Sequence, residues 1–266
     1  MTEKNRLDVL LVEKNLVESR ALAQRLIMAG KVRVNGEVAL KASEKTPIDA
    51  EIVVAEGQKY VSRGGEKIEA ALETFPVDVQ GMVCADIGAS TGGFTDCLLQ
   101  HGAIKVYAID VGYGILHWKL RNDPRVVVME RTNARYVEQL PEPVRLVTID
   151  ASFISLKVLL PVIPKWYGGS EGLLVTLIKP QFEAGREIVS RGEGVVRDEQ
   201  VHADVLHNVL KAAQGFGFCP EKLIQSPLLG PKGNKEFLAL YRYPGEANPD
   251  LEELIDRALH GGQVSE

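Results

Sequence analysis

The sequence predicts a doubly wound α/β sheet preceded by a small α+β module, and three observations carry that expectation. From residue 82 onward, short apolar runs alternate with helical stretches, the pattern of strand–helix repeats around a mostly parallel sheet. The first of those runs is followed at once by a glycine-rich turn and a helix. Before residue 62 the runs are shorter, and hairpin chemistry replaces the repeat.

In the amino-terminal part, Leu7, Leu10 and Leu11 fall at i, i+3 and i+4 and predict a short amphipathic helix. Ser19 is placed to cap a second helix, Arg20–Met28, which ends at Ala29-Gly30. Alternation over Lys31-Val32-Arg33-Val34-Asn35-Gly36-Glu37-Val38, broken by Asn-Gly, predicts a hairpin, and 47–54 offers a further strand. Gly64-Gly65 reads as a hinge or tight turn, followed by a helix carrying Ile68, Ala71 and Leu72 towards Phe75. Strands are expected at 82–86, 105–110, 126–130, 146–150, 173–179 and 236–243. Helices are expected up to Gln100, over 156–163 and over 198–216. The division that results is a module over 1–60, a linker with the first helix over 61–81, the large domain over 82–247, and a helix and tail over 248–266.

The 266 residues are 45% hydrophobic and 25% charged, which excludes wholesale disorder. No apolar run approaches the roughly 18 residues of a membrane span, and no apolar signal core follows Met1-Thr2-Glu3-Lys4-Asn5-Arg6. A cytoplasmic protein that does not engage membranes is the expectation. Three scattered cysteines, Cys84, Cys97 and Cys219, suggest neither a disulfide scaffold nor a structural zinc, and His202 and His207 are spaced i, i+5, a poor metal pair. Net charge is −5 overall, but residues 1–62 carry ten Lys/Arg against nine Asp/Glu, so any nucleic-acid surface must be local.

The turn Asp86-Ile87-Gly88-Ala89-Ser90-Thr91-Gly92-Gly93-Phe94 fits neither the P-loop string nor the dinucleotide fingerprint. Its leading acid would repel a pyrophosphate and suits a neutral or cationic ligand end, such as the sulfonium and amino-acid moiety of S-adenosylmethionine. Asp86, Gly88, Ser90, Gly92, Gly93 and Phe94 are therefore candidate cofactor residues. Asp110, 24 residues after Asp86 at the end of the second strand, can accept bonds from ribose hydroxyls, with Glu130 and Asn133 on the adenine side. Ligands of such sheets sit beyond the carboxyl ends of the parallel strands, where the fourth and fifth end in Asp150 and Lys179. A lysine closing the run Leu-Leu-Val-Thr-Leu-Ile needs a carboxylate partner, and Asp150 is the natural one if the strands are neighbours. Glu236 opens the last strand and Lys67 precedes the large domain; the residues alone leave a solvated role open for both.

These strings resemble a known family. Residues 82–243 look like the FtsJ/RrmJ-type S-adenosylmethionine-dependent RNA methyltransferases, a Rossmann-like fold, and the first 60 or so resemble an S4 RNA-binding domain. Together they resemble the TlyA family, also labelled haemolysin A. The resemblance rests on Ser62-Arg63-Gly64-Gly65-Glu66-Lys67, the glycine turn, Asp110-Val111-Gly112-Tyr113-Gly114, Asp150-Ala151-Ser152-Phe153, Lys179-Pro180-Gln181-Phe182 and Gly233-Asn234-Lys235-Glu236-Phe237. It implies a catalytic Lys-Asp-Lys-Glu tetrad on Lys67, Asp150, Lys179 and Glu236, with Asp150 also near the cofactor. It further implies 2′-O-methylation of cytidine in small-subunit and, in some members, large-subunit ribosomal RNA. No metal is expected, because methyl transfer from a sulfonium needs no Lewis acid. Arg6, Arg20, Arg25, Lys31, Arg33 and Arg63 would bind RNA phosphates. The partner is then ribosomal RNA within ribosomal subunits, with a monomeric enzyme as the default. Three rival readings are a base methyltransferase, a catalytically silent RNA-binding protein and a membrane-lytic protein. The first lacks the prolines of the usual Asn/Asp-Pro-Pro-aromatic string, the second is opposed by the complete tetrad, and the third lacks any spanning or lytic helix.

Overall fold

Two units make up the computed structural model, Met1–Lys59 and Tyr60–Glu266, which describes residues 3–54, 59–245 and 249–261. The first contains β1 (Lys4–Arg6), α1 (Leu7–Glu13), α2 (Arg20–Met28), β2 (Val32–Val34), β3 (Glu37–Val38), β4 (Lys45–Pro47) and β5 (Ile52–Val54). Ser19 caps α2 by accepting a bond from the Leu22 amide. The Asn-Gly hairpin forms as expected, with Asn35 and Gly36 both at positive φ, as a two-residue turn of this hand requires. The single strand expected over 47–54 is instead two: β4 pairs with β1, while β5 pairs with β2 in a separate sheet. Leu7, Leu11, Ala23, Ile27 and Val32 form the unit's small core.

The second unit contains α3 (Gly64–Thr74), β6 (Val83–Ile87), α4 (Gly93–Gln100), β7 (Lys105–Ile109), α5 (Trp118–Arg121), β8 (Val126–Met129) and β9 (Leu146–Ile149). There follow α6 (Leu156–Leu159), α7 (Ile163–Trp166), β10 (Gly172–Ile178), α8 (Pro180–Glu183), α9 (Arg186–Arg191) and α10 (Glu199–Gly215). β11 (Cys219–Gln225), β12 (Phe237–Tyr243) and α11 (Leu251–His260) complete it. The seven strands run in the order β11-β12-β10-β9-β6-β7-β8, and β12 lies antiparallel to both its neighbours. Successive side chains alternate between two cores. Ala85, Tyr107, Ile109, Val147 and Ile149 face the layer of α6, α7, α10 and α11, whereas Cys84, Val106, Ala108 and Leu146 face that of α3 and α4.

The structure departs from the expectations at several further points. The helix expected over 156–163 is broken into α6, a 3-10 turn over Leu160–Val162 and α7, because Pro161 and Pro164 each remove a backbone donor. β11, with the mixed string Cys-Pro-Glu-Lys-Leu-Ile-Gln, gave no alternation to read. Glu236 stands just before the last strand rather than in it, and in the tail residues 248 and 262–266 lie outside the described residues.

Gly64 and Gly65 form the first turn of α3 rather than a separate turn before it. A Cβ on Gly65 would lie 2.2 Å from Cγ of Tyr60, whose ring is 2% exposed. The glycine thus lets α3 seat on Tyr60, and the Val61 amide donates to Asp96 Oδ2 of α4 at 2.9 Å. Gly65→Ala is expected to destabilise by about 1–3 kcal/mol through overpacking. A solvent-facing helical glycine would gain about 1 kcal/mol from the same change. Denaturant unfolding of the two proteins reads the sign, and a gain would mean that Tyr60 yields freely.

Candidate active site

The sheet's register assembles the site. Ile87, Ile109, Met129 and Ile149 are in line across the parallel strands, so Gly88, Asp110, Glu130 and Asp150 follow as a row at their carboxyl ends. β12 runs the other way, and Ile178 pairs with Phe237. Lys179, just after β10, therefore stands across from Glu236, just before β12. α3 brings Lys67 to the same place.

The result is two linked ion pairs. Lys179 Nζ lies 2.5 Å from Asp150 Oδ1, and Lys67 Nζ lies 2.5 Å from Glu236 Oε2. The Glu236 side chain is fully buried, and those of Lys67 and Lys179 are 12% and 10% exposed. Lys179 also donates to Ser152 Oγ at 2.9 Å. Its approach to Asp150 Oδ1 falls outside hydrogen-bond angles, which leaves that buried oxygen with no aligned donor among the described residues. Gln181 donates weakly to Glu236 Oε1 at 3.4 Å, and its own buried Oε1 has no partner among the described residues. All four charged residues line a cavity of about 630 Å³, together with Arg63, Ser90, Gly93 and Phe94.

A second cavity of about 370 Å³ adjoins it, sharing Gly88, Ser90, Asp150, Ser152 and Phe153. Asp110 and Asn133 line this one, and so does Thr132, which the sequence reading passed over. Asp110 accepts from the Ser90 amide at 2.8 Å and the Gly112 amide at 2.7 Å, so it holds the turn while facing the cavity. Gly88 has φ +78, and a Cβ there would lie 2.6 Å from the Asp150 carbonyl oxygen. Gly93 approaches α3 as closely, with an imagined Cβ 2.8 Å from the Gly65 amide nitrogen.

Three expected cofactor residues are elsewhere. Asp86 is fully buried under the turn and lines neither cavity; its two oxygens accept from Thr95 Oγ1 at 2.7 Å and Thr148 Oγ1 at 3.0 Å. Gly92 also lines neither, because its missing side chain makes room for Leu120, 2.2 Å from an imagined Cβ. Glu130 is turned aside to Arg121 at 2.6 Å and the Gly114 amide at 2.9 Å, and the guanidinium holds its carboxyl below the usual range. Neither a place in the turn nor one at a strand end decides where a side chain points. Residues missed outright are Ser152, Gln181 and Asn234. The first two flank Asp150 and Lys179 in sequence, and that adjacency was the available signal.

The expected RNA-binding residues divide between the units. Arg63 is exposed in the wall of the larger cavity. In the first unit, Asp8 is fully buried and gathers Arg6, Arg20 and Gln24 at 2.9–3.0 Å. Those bonds, led by that from Arg6, hold the Asp8 carboxyl far below its ordinary value. Arg25, Lys31 and Arg33 are exposed, with Arg33 bonded to the Gly36 carbonyl at 2.9 Å.

Comparison with known proteins bears on both units. Residues 60–243 match the FtsJ-like methyltransferase family and residues 5–52 the S4 domain. A Mycobacterium tuberculosis protein named 16S/23S rRNA (cytidine-2′-O)-methyltransferase TlyA is 44% identical over 98% of this chain and 100% of its own length. A Brachyspira hyodysenteriae protein named Hemolysin A is 46% identical over 88% of this chain and 98% of its own. A solved structure from Streptococcus thermophilus, described as a candidate hemolysin, is 43% identical with a TM-score of 0.70, covering 97% of this chain and 96% of that one. Among the described residues no helix is long and apolar enough to cross a membrane.

Burial pushes the Asp86 carboxyl up from 3.8 to about 7, against the pull of the two threonine hydroxyls. From about pH 4 to pH 7 the unfolded chain has released this proton while the folded one keeps it. Stability from this group therefore falls as pH rises through that window, by up to about 1.4 kcal/mol per unit. Asp86→Asn removes the dependence. Its stability relative to the native protein is expected to improve by at least about 1 kcal/mol between pH 5 and pH 8. Unfolding curves at the two pH values check this, and an unchanged difference would mean that the carboxyl titrates like an exposed one.

Proposed function

The chain belongs to the FtsJ-like methyltransferase family, and we propose that it transfers the methyl group of S-adenosylmethionine to the ribose 2′-hydroxyl of cytidine in ribosomal RNA. The observation that carries this reading is the cluster of Lys67, Asp150, Lys179 and Glu236 around one cavity at the carboxyl ends of the strands. A base nitrogen needs no such pair of lysines. The substrate is ribosomal RNA within ribosomal subunits, that of the small subunit in the first place, the enzyme is cytoplasmic, and it works as a monomer.

The residues fit the cofactor. The cavity lined by Asp110 and Asn133 leads directly to that of the tetrad, and each Asp110 oxygen keeps a lone pair beyond its backbone bond. S-adenosylmethionine supplies an electrophilic methyl group on a sulfonium. Everything else falls to the chain. Lys179 Nζ holds the ribose 2′-oxygen and opposes the negative charge that grows on it. The hydroxyl proton passes to Lys179 Nζ as one ammonium proton moves from Nζ to Asp150 Oδ1, 2.5 Å away. Lys67, fixed by Glu236, orients the ribose or its phosphate, and Glu236 keeps that ammonium from repelling Lys179. Holding both reactants in line contributes much of the acceleration. Arg6 and Arg20, gathered by Asp8, offer guanidinium groups to RNA phosphates.

Incubation with tritiated S-adenosylmethionine and unmodified ribosomal subunits, followed by digestion to nucleosides, is expected to place label in 2′-O-methylcytidine. Lys179→Ala is expected to lower the rate by about 10²–10⁴-fold with cofactor affinity little changed. Label in a base would refute the ribose assignment. RNA affinity is expected to fall steeply from low to moderate salt, with a slope of log affinity against log salt of about −0.7 to −0.9 per phosphate contacted. A filter-binding series measures it, and a flat series would remove the phosphate contacts from the account.

A further inference from the structure

A third cavity, of about 200 Å³, lies beside the catalytic one, with Lys232 lining both. Its other walls are Val195, Val196, Arg197, His202, Gly233 and Lys235. Three of its seven residues are cations and none is acidic. Arg197 and Lys235 have no acidic partner among the described residues, and Lys232 reaches only the Glu193 carbonyl, at 3.4 Å. The nearest carboxylates are otherwise engaged: Asp198 caps α10 through the Gln200 amide, and Glu199 meets His260.

His202 is 1% exposed, and its Nε2 lies 3.1 Å from the Val196 carbonyl oxygen. A carbonyl only accepts, so Nε2 carries the ring proton and Nδ1 of the neutral ring is an acceptor. Nδ1 is buried without a partner among the described residues. Burial, aided by Lys235, holds the imidazole below its ordinary pKa, consistent with that neutral form. An unused acceptor on a side chain that lines a cavity of unpaired cations points to a ligand with a hydroxyl donor next to an anion. A ribose-phosphate unit presents both.

The two loops that wall the cavity are locked together by Asn234, which is 2% exposed. It accepts from the Val196 amide at 3.0 Å and donates to the Gly194 and Pro231 carbonyls at 3.0 and 3.1 Å. Both loops also line the catalytic cavity, through Gly194, Pro231, Lys232 and Asn234. The site is therefore built, and fixed relative to the tetrad.

We propose that this cavity is a subsite for the ribonucleotide next to the methylated one, with its phosphate held by Arg197, Lys232 and Lys235 and its ribose 2′-hydroxyl donating to His202 Nδ1. It rests on the RNA methyltransferase reading and adds to it a second place where ribose is recognised. The subsite contributes to binding the RNA strand, not to the chemical step.

The test is steady-state methylation of unmodified ribosomal subunits by the full chain. Arg197→Gln/Lys235→Gln changes an exposed and a half-buried side chain, so the fold should tolerate it. Its KM for RNA is expected to rise about tenfold, with kcat within about twofold and cofactor affinity unchanged, and the salt slope is expected to lose about one phosphate. His202→Gln can keep a donor for the Val196 carbonyl while withdrawing the acceptor, and is expected to raise KM about fivefold. His202→Asn, which sets an amide oxygen near the Nδ1 position, is expected to recover most of that loss. In RNA substrates deoxygenated singly beside the target, one position is expected to weaken the native enzyme and not His202→Gln. Unchanged KM and salt slope in the double variant, while the native enzyme methylates normally, would overturn the subsite alone. No labelling of RNA by the native enzyme would overturn the methyltransferase reading, and the subsite with it.

Discussion

The antiparallel pairing of β10 with β12 is the constraint on which the rest of the site depends. Had β12 run parallel to its neighbours, the residue before it would have lain at the opposite edge of the sheet. Because it runs back, Glu236 stands across from Lys179 and pairs with Lys67, while Lys179 pairs with Asp150, and four charges are neutralised in pairs at one sheet end. Buried ions of this kind are costly to leave single. The pairing is therefore a condition for these residues to be buried.

Glycine makes the remaining approaches. Gly88 lets β6 turn against the backbone of Asp150, and Gly93 lets the start of α4 touch the start of α3, which carries Lys67. Beneath the turn, Asp86 ties Thr95 of α4 to Thr148 of β9. The acid that resembles a ligand contact in the sequence thus sits beneath the turn and outside both cavities. It carries a desolvation cost, which is why its carboxyl titrates high.

Asp8 plays a related part in the first unit. It too is fully buried, but three hydrogen-bond donors surround it, and two of them are guanidinium groups. The contrast with Asp86 is instructive. Neither side chain has exposed surface, but Asp8 lies shallow beneath the cations that pull its pKa down, while Asp86 lies deep in the fold, where two hydroxyls fail to keep its pKa from rising. Burial alone does not set the direction of a shift; the partners do.

Most strands and most helices could be read from the sequence, and so could the four charged residues that meet around one cavity. Strand periodicity, a serine cap and an Asn-Gly turn are local chemistry, readable over a few positions. The tetrad was legible because its four residue types stand in strings that resemble one family. Direction came from packing instead: Asp86 and Gly92 turn away from the cavities, Glu130 turns to Arg121, and Gly64-Gly65 begins a helix. Packing also decided that His202, remote in sequence from Lys232 and Lys235, shares a cavity with them. Side-chain direction and long-range proximity depend on how separate elements stack and in what register. No local pattern in the chain encodes that.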